Sequence, residues 1–204
     1  MPSTTRTAGR TVWVAIRAMA LLTVLLGLIY PLAITAVGAL ALPAQAGGSL
    51  LRTADGTVVG SSLIGQSFSD AAGAPLARYF QPRPSAAGDG YNATSSAGSN
   101  LGPQNPELVA AISERRAQLA AFDGVPESRV PADAVTASSS GLDPHISAAY
   151  AAIQVQRVAT ARGLPVDEVR ALVQRSSRGP DLGYLGETRV NVLELNLALD
   201  ELKG

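Results

Sequence analysis

The sequence predicts a single N-terminal transmembrane helix followed by one mixed α/β domain of the α+β kind, held outside the cytoplasm. Three observations lead there. An uncharged apolar run extends from Ala18 to Leu42, with Arg6, Arg10 and Arg17 before it and no acidic residue until Asp55. The roughly 160 residues that follow suit one domain with its own core. In that part a turn flanked by short apolar segments comes first, and helical periodicities follow.

About twenty apolar residues cross a bilayer as a helix, and this run is longer. Inside lipid each backbone N–H and C=O must be bonded within the segment, so the run reads as one α-helix. Basic residues on one side only place residues 1–17 in the cytoplasm, 18–42 in the membrane and 43–204 outside. The same residues also resemble a secretory signal ending in Ala44-Gln45-Ala46, but a signal's apolar region is usually about 7–15 residues, which favours a retained anchor. Thr23, Gly27, Pro31 and Gly38 fall near one face of the helix, with Thr35 beside them, as a packing surface for another helix. Pro31 removes the bond to the Gly27 carbonyl, and glycine there leaves room for a bend.

The exported part opens with a hairpin, because Ser49–Arg52 and Thr57–Gly60 flank Asp55-Gly56, a dipeptide suited to tight turns. Leu63-Ile64 and Tyr79-Phe80 are expected to add short strands. Residues 82–106 are rich in Gly, Ser, Ala, Asn and Pro and read as a long ordered loop held by side-chain bonds from residues such as Asn92, Ser99 and Asn100. Asn105-Pro106-Glu107 is an N-cap, a proline at the first helical position and an acid on the dipole's positive end. Leu108, Ile112, Arg115 and Leu119 then recur at helical spacing. A second loop, 130–144, leads to Ser147 as the cap of a helix reaching Gly163, with Ile153 and Val158 inward. Pro165 opens a third helix through Val169, Leu172 and Val173. Leu193, Leu195, Leu197 and Leu199 alternate as in a strand, but Asn191 and Glu194 have capping-box spacing, so 191–202 is assigned to helix.

Composition excludes several functions. Sixteen basic residues balance sixteen acidic ones, so no nucleic-acid footprint exists. The absence of cysteine removes disulfides, thiolate metal sites and a cysteine nucleophile. With one histidine there is no multi-histidine metal site, and with Lys203 as the only lysine there is no phosphate-cradling loop ending in Gly-Lys. No catalytic residue and no metal ligand is assigned. Asp143-Pro144-His145 beside Ser138, Ser139, Ser140 and Ser147 leaves open an exported hydrolase or binding module. The plainer reading is that these groups fix turns.

Short polar blocks remain: Leu63-Ile64-Gly65-Gln66 with Phe68; Tyr79 to Ser85 with Tyr91-Asn92; Gly98-Ser99-Asn100-Leu101-Gly102-Pro103 and Asn105-Pro106-Glu107-Leu108; Val135 to Ser147; Arg157-Val158-Ala159 with Ala161-Arg162-Gly163-Leu164; and Leu185-Gly186 with Val190 to Leu199. In this order behind one span they closely resemble the C subunit of the bacterial Kdp potassium-transporting P-type ATPase, over nearly the whole chain. Thr188 and Ala148 stand where that family pattern has proline. The resemblance implies a non-catalytic subunit in a bacterial cytoplasmic membrane. Its implied partners are a channel-like potassium-binding subunit, a P-type ATPase subunit and a small single-span subunit. The family is also described as a catalytic chaperone that raises the ATPase subunit's affinity for ATP. ATP is therefore a cofactor by family description only, since this sequence offers no lysine-bearing phosphate loop and its charge asymmetry exports the domain. Arg83, Asn100, Asp143 and His145 are the candidate partner contacts. The alternative is that these loop groups satisfy one another, for example through an Arg83–Asp143 pair.

Overall fold

In a computed structural model, residues 4–202 are described. The first three residues of the segment 1–17 and the last two of 43–204, Lys203 among them, lie outside the described residues, as does the side chain of Arg6. The chain forms two compact units, residues 1–49 and 50–204.

The first unit is a helix in two α-helical parts, α1 (Thr4–Val24) and α2 (Tyr30–Ala41), joined by a π-helical turn over Leu25–Ile29. Residues Ala8–Ala41 are long and apolar enough to cross a membrane. The π turn has a local cause: Pro31 has no N–H for the Gly27 carbonyl, and the backbone loosens one turn earlier, where the Tyr30 N–H bonds the Leu25 carbonyl five residues back. A short helix, α3 (Pro43–Ala46), follows Leu42, and Ala46 lies against Gly38.

The second unit begins with the expected hairpin, β1 (Leu50–Arg52) antiparallel to β2 (Val58–Ser61). Asp55 organises its turn by accepting from the Thr57 N–H and from the hydroxyls of Thr53 and Thr57. No space for a β-carbon exists at Gly60, where one would stand 2.7 Å from Leu193. The helices start where their caps place them. Asn105 accepts from the Glu107 N–H at the head of α4 (Pro106–Asp123), which ends at left-handed Gly124. After a short helix, α5 (Ala132–Val135), strand β3 (His145–Ser147) runs into α6 (Ala148–Arg162), capped by the Ser147 hydroxyl and closed by Gly163. Then come α7 (Val166–Ser176), β4 (Ser177–Arg178), β5 (Arg189–Asn191) and α8 (Val192–Glu201). The segment 191–202 is helical because Val192, Leu195, Asn196 and Leu199 are buried at intervals of three and four, with Asn191 accepting from the Glu194 N–H. The reciprocal half of the capping box does not form here, since the Glu194 carboxylate pairs with Arg178.

Two expectations need correction. Leu63-Ile64 lies in a turn, and Tyr79-Phe80 follows a turn closed by the Tyr79 N–H on the Leu76 carbonyl and pairs with no strand. Its backbone is taken up by side-chain amides. Asn196 accepts from the Phe80 N–H at 2.9 Å and donates to the Phe80 carbonyl at 3.0 Å. Gln154 does the same for Gln81, at 2.7 and 3.2 Å. Two helices thus supply the ladder that a neighbouring strand would have supplied, and buried Phe80 enters the core beside Tyr150, Val158 and Leu195. The true sheet lies elsewhere: β5 is central between β3 and β4, both antiparallel to it, with Ile146 opposite Val190. These strands are too short to leave a period-2 signature in the sequence.

Arg157 clamps the same segment, part of a strap formed by residues 75–84. It donates to Asp123 at 2.7 Å, to the carbonyls of Ala77 and Tyr79 at 2.6 and 2.9 Å, and to Gln154. Burial pushes the Asp123 carboxyl above its ordinary pKa against the pull of this guanidinium.

Candidate functional site

Three loops converge on Arg83, each fixed by chemistry visible in its residues. The loop after β2 is pinned where the Gly65 N–H bonds the Leu142 carbonyl at 2.8 Å. A β-carbon on Gly65 would fall 2.6 Å from the Asp143 carbonyl and 2.7 Å from the Tyr91 ring, so only glycine fits. The loop 82–106 contains no helix or strand before α4, yet it is ordered, as expected. Ser85 gathers it, donating to the Gly141 carbonyl at 2.6 Å and accepting from the N–H groups of Ala87 and Tyr91. The hydroxyl of Tyr91 reaches back to the Arg83 carbonyl at 2.6 Å, and burial holds it protonated well above its ordinary pKa. Asn92 folds its own turn by accepting from Thr94. In the third loop Gly141, at φ +67°, lies so close to Ala87 and Ala97 that a β-carbon would clash with both.

At the centre, Arg83 Nη1 meets Asp143 Oδ2 at 3.1 Å, and its other terminal nitrogen donates to the Thr136 carbonyl. Asp143 Oδ1 accepts from the His145 N–H at 3.0 Å and lies 3.3 Å from His145 Nδ1. Burial pushes the Asp143 carboxyl up. The His145 side chain, the His145 N–H and Arg83 together outweigh it and hold it below the usual carboxylate range. The structure therefore brings together Arg83, Asp143 and His145, while Asn100 stands apart as an exposed residue at φ +54°.

Cavities flank the pair on both sides. One of about 350 Å³ is lined by Asp133, His145, Ser147 and Arg189, and one of about 560 Å³ by Ile64, Ser138, Ser139 and Leu142. Two of the four serines are engaged in local bonds. Ser147 donates to Asp133 at 2.8 Å while capping α6, and the Ser140 hydroxyl accepts from the Leu142 N–H. The Asp143–His145 pair fixes the entry to β3, the plainer of the two readings its residues allow. Among the described residues no group of three or more His, Asp or Glu side chains is placed to hold a metal ion.

Of the proposed packing residues on the apolar helix, Thr23, Gly27 and Pro31 are exposed and Gly38 is half-buried by Ala46. Sequence reasoning missed Gln154, Arg157 and Asn196, which hold the strap carrying Arg83. The available signal was a polar residue recurring in phase with a buried helical face, since such a group requires a partner.

A helix able to cross a membrane and a small α+β domain define the class, a candidate single-span protein with one folded domain. Comparison with known proteins gives the particular family. The family model described as "K+-transporting ATPase, c chain" matches residues 12–201, and the chain belongs to this KdpC family. It is 57% identical over 174 residues to the potassium-transporting ATPase KdpC subunit of Kineococcus radiotolerans, covering 85% of each chain. It is 54% identical over 186 residues to the KdpC subunit of Caulobacter vibrioides, covering 91% of this chain and 90% of that one. With the Mycobacterium tuberculosis subunit the identity is 49% over 189 residues, covering 92% and 96%. The chain is thus a subunit type rather than an enzyme in its own right.

Proposed function

We propose that this protein is the non-catalytic accessory subunit of a high-affinity, ATP-driven potassium import complex in the bacterial cytoplasmic membrane. Residues 1–17 lie in the cytoplasm, 18–42 span the membrane and 43–204 form the extracytoplasmic domain. It assembles and stabilises a channel-like potassium-binding subunit and a P-type ATPase subunit, together with a small single-span subunit. The observation that carries this reading is the extent of the family match, which runs through both the apolar helix and the domain. Thr23, Gly27, Pro31 and Gly38 present a face for a neighbouring helix, and Arg83, Asn100, Asp143 and His145 are contact candidates on the domain. A chaperone effect on the ATPase subunit acts through these contacts and not through ATP held by this chain, whose outward domain meets little nucleotide.

The test is co-purification. The chain is tagged at its C-terminus, the native cells are starved of potassium, and the complex is extracted in mild detergent and identified by mass spectrometry. Stoichiometric recovery of a P-type ATPase subunit and a channel-like subunit is expected. A lone chain, especially one beginning at Gly47, overturns the assignment.

A further inference from the structure

One helix of the domain is left half covered. Of the eighteen residues in α4, Ala120 and Asp123 alone are buried, and the apolar positions Leu108, Ile112 and Leu119 are each partly open. Here a trough of about 550 Å³ runs between α4 and the strap that carries Pro82 and Arg83. Its walls are Leu119, Phe122, Pro82 and Tyr150, with Arg115 and Gln118 on the rim. One face of Phe122 is taken by the Arg157 guanidinium, 4.3 Å from the ring centroid.

The charge around the trough is unbalanced. Arg115 donates to the Val135 carbonyl at 3.1 Å, and neither it nor Arg116 forms an ion pair among the described residues. Arg116 Nε is buried and has no hydrogen-bond partner. The nearby Glu114 carboxylate is engaged by the Gln118 amide. Arg115, a guanidinium at the trough that forms no ion pair among the described residues, complements a carboxylate attached to an apolar body.

The strap cannot add a strand to an incoming chain. Proline at 75, 82 and 84 supplies no N–H, and the carbonyls of Pro82 and Arg83 already accept from the hydroxyls of Tyr150 and Tyr91. Recognition therefore rests on side chains, and a concave trough matches a polypeptide segment better than a flat bilayer surface. We infer that the trough between α4 and the strap receives a segment of another subunit of the complex. That segment presents one apolar side chain to Leu119 and Phe122 and one carboxylate to Arg115. This rests on the accessory-subunit reading and names the surface through which it works.

The experiment uses the full chain co-expressed with its partner subunits, with the photo-crosslinking residue p-benzoylphenylalanine replacing Gln118. A control carries it at Arg170, which is exposed on α7. Irradiation of membranes is expected to join position 118, and not position 170, to one partner segment containing an Asp or Glu. In an otherwise unaltered chain, Gln118→Glu sets a negative charge on an exposed rim position. It is expected to lower recovery of that partner about tenfold, Arg170→Glu on α7 leaves recovery unchanged, and Lys at the partner's crosslinked acid restores recovery of the Gln118→Glu chain. Crosslinks to lipid or to a second copy of this chain, or none while the other subunits still co-purify, overturn the trough as the contact and leave the accessory reading intact. A chain that purifies without the other subunits overturns both.

Discussion

The side-chain ladder between Asn196 and Phe80 lends itself to an isosteric test, Asn196→Asp. Asn196 is 1% exposed and meets both the Phe80 N–H and the Phe80 carbonyl. An ionised aspartate keeps the first bond, at 2.9 Å in the parent, and sets a negative charge against the carbonyl oxygen in place of the second. A protonated aspartic acid restores the donor and reproduces the amide pattern. Burial and the facing carbonyl therefore raise the folded-state pKa of the new carboxyl, and the Phe80 N–H pulls it partly back. With full burial worth up to about 3–5 pKa units, a net rise of about 3 units is expected. At about 1.4 kcal/mol per unit, the variant is then destabilised by about 4 kcal/mol at neutral pH. The folded pKa is raised, so the folded state holds the proton more tightly. Stability is retained below the unfolded value near 4 and lost as pH rises toward about 7, after which the deficit is constant. Urea unfolding of the full chain in nonionic detergent, followed by far-ultraviolet circular dichroism for variant and parent at each pH, gives the difference directly. A deficit that does not change across this range would refute the reasoning, because it would mean the side chain is not held dry between the two Phe80 groups.

Other outcomes follow from the same contacts. Arg157→Met leaves Asp123 buried without its partner and two strap carbonyls without a donor. It is expected to cost about 3–5 kcal/mol in the same unfolding assay. Asp143→Asn removes a carboxylate held below its ordinary range but part exposed, so the neutral-pH loss is about 1 kcal/mol. The depressed folded pKa means that this contribution is present above the unfolded value and disappears as pH falls through the folded one, so the parent and variant curves should merge in acid. Gly141→Ala forces a β-carbon to 2.6 Å from the Ala97 carbonyl at positive φ and should release the 82–106 loop, read as faster proteolytic cleavage there. Since the chain has no cysteine, Ser128→Cys provides a single label on an exposed turn. A membrane-impermeant maleimide should modify it in intact cells, and protection until the cells are broken would reverse the proposed orientation.

What could be read from the sequence was chemistry contained within a few residues. Asp55-Gly56 announced the hairpin, Asn105, Ser147 and Asn191 announced three helix starts, and Gly163 ended one of them. Those signals survive because caps and turns bond to their own neighbours. The sheet of β3, β5 and β4 left no such trace, since its strands are two or three residues long and β3 joins β5 across more than forty residues. The strap was not legible: Tyr79-Phe80 was expected as a strand, but Phe80 and Gln81 bond single amides on helices more than seventy residues away. At the candidate site, the Arg83–Asp143 pairing was anticipated as the structural alternative for those loops. That Ser140 bonds its own turn and that Ser147 also donates to Asp133 needed coordinates, because sequence proximity does not reveal which bond a hydroxyl has already made.

The π turn carries a consequence for chain length. A widened turn holds one residue more than an α-helical turn over the same rise, so every side chain after Ile29 is rotated by about 100° from a uniform helical wheel. With that offset Pro31, Thr35 and Gly38 come into line with Thr23, whereas an unbroken α-helix would fan them to one side. The register of this face is thus set by counting, not by composition. Removing one residue between Leu25 and Ile29 would let the turn close to an α-helix with the face still in line, whereas an α-helical turn that kept all five residues would point the two halves in different directions.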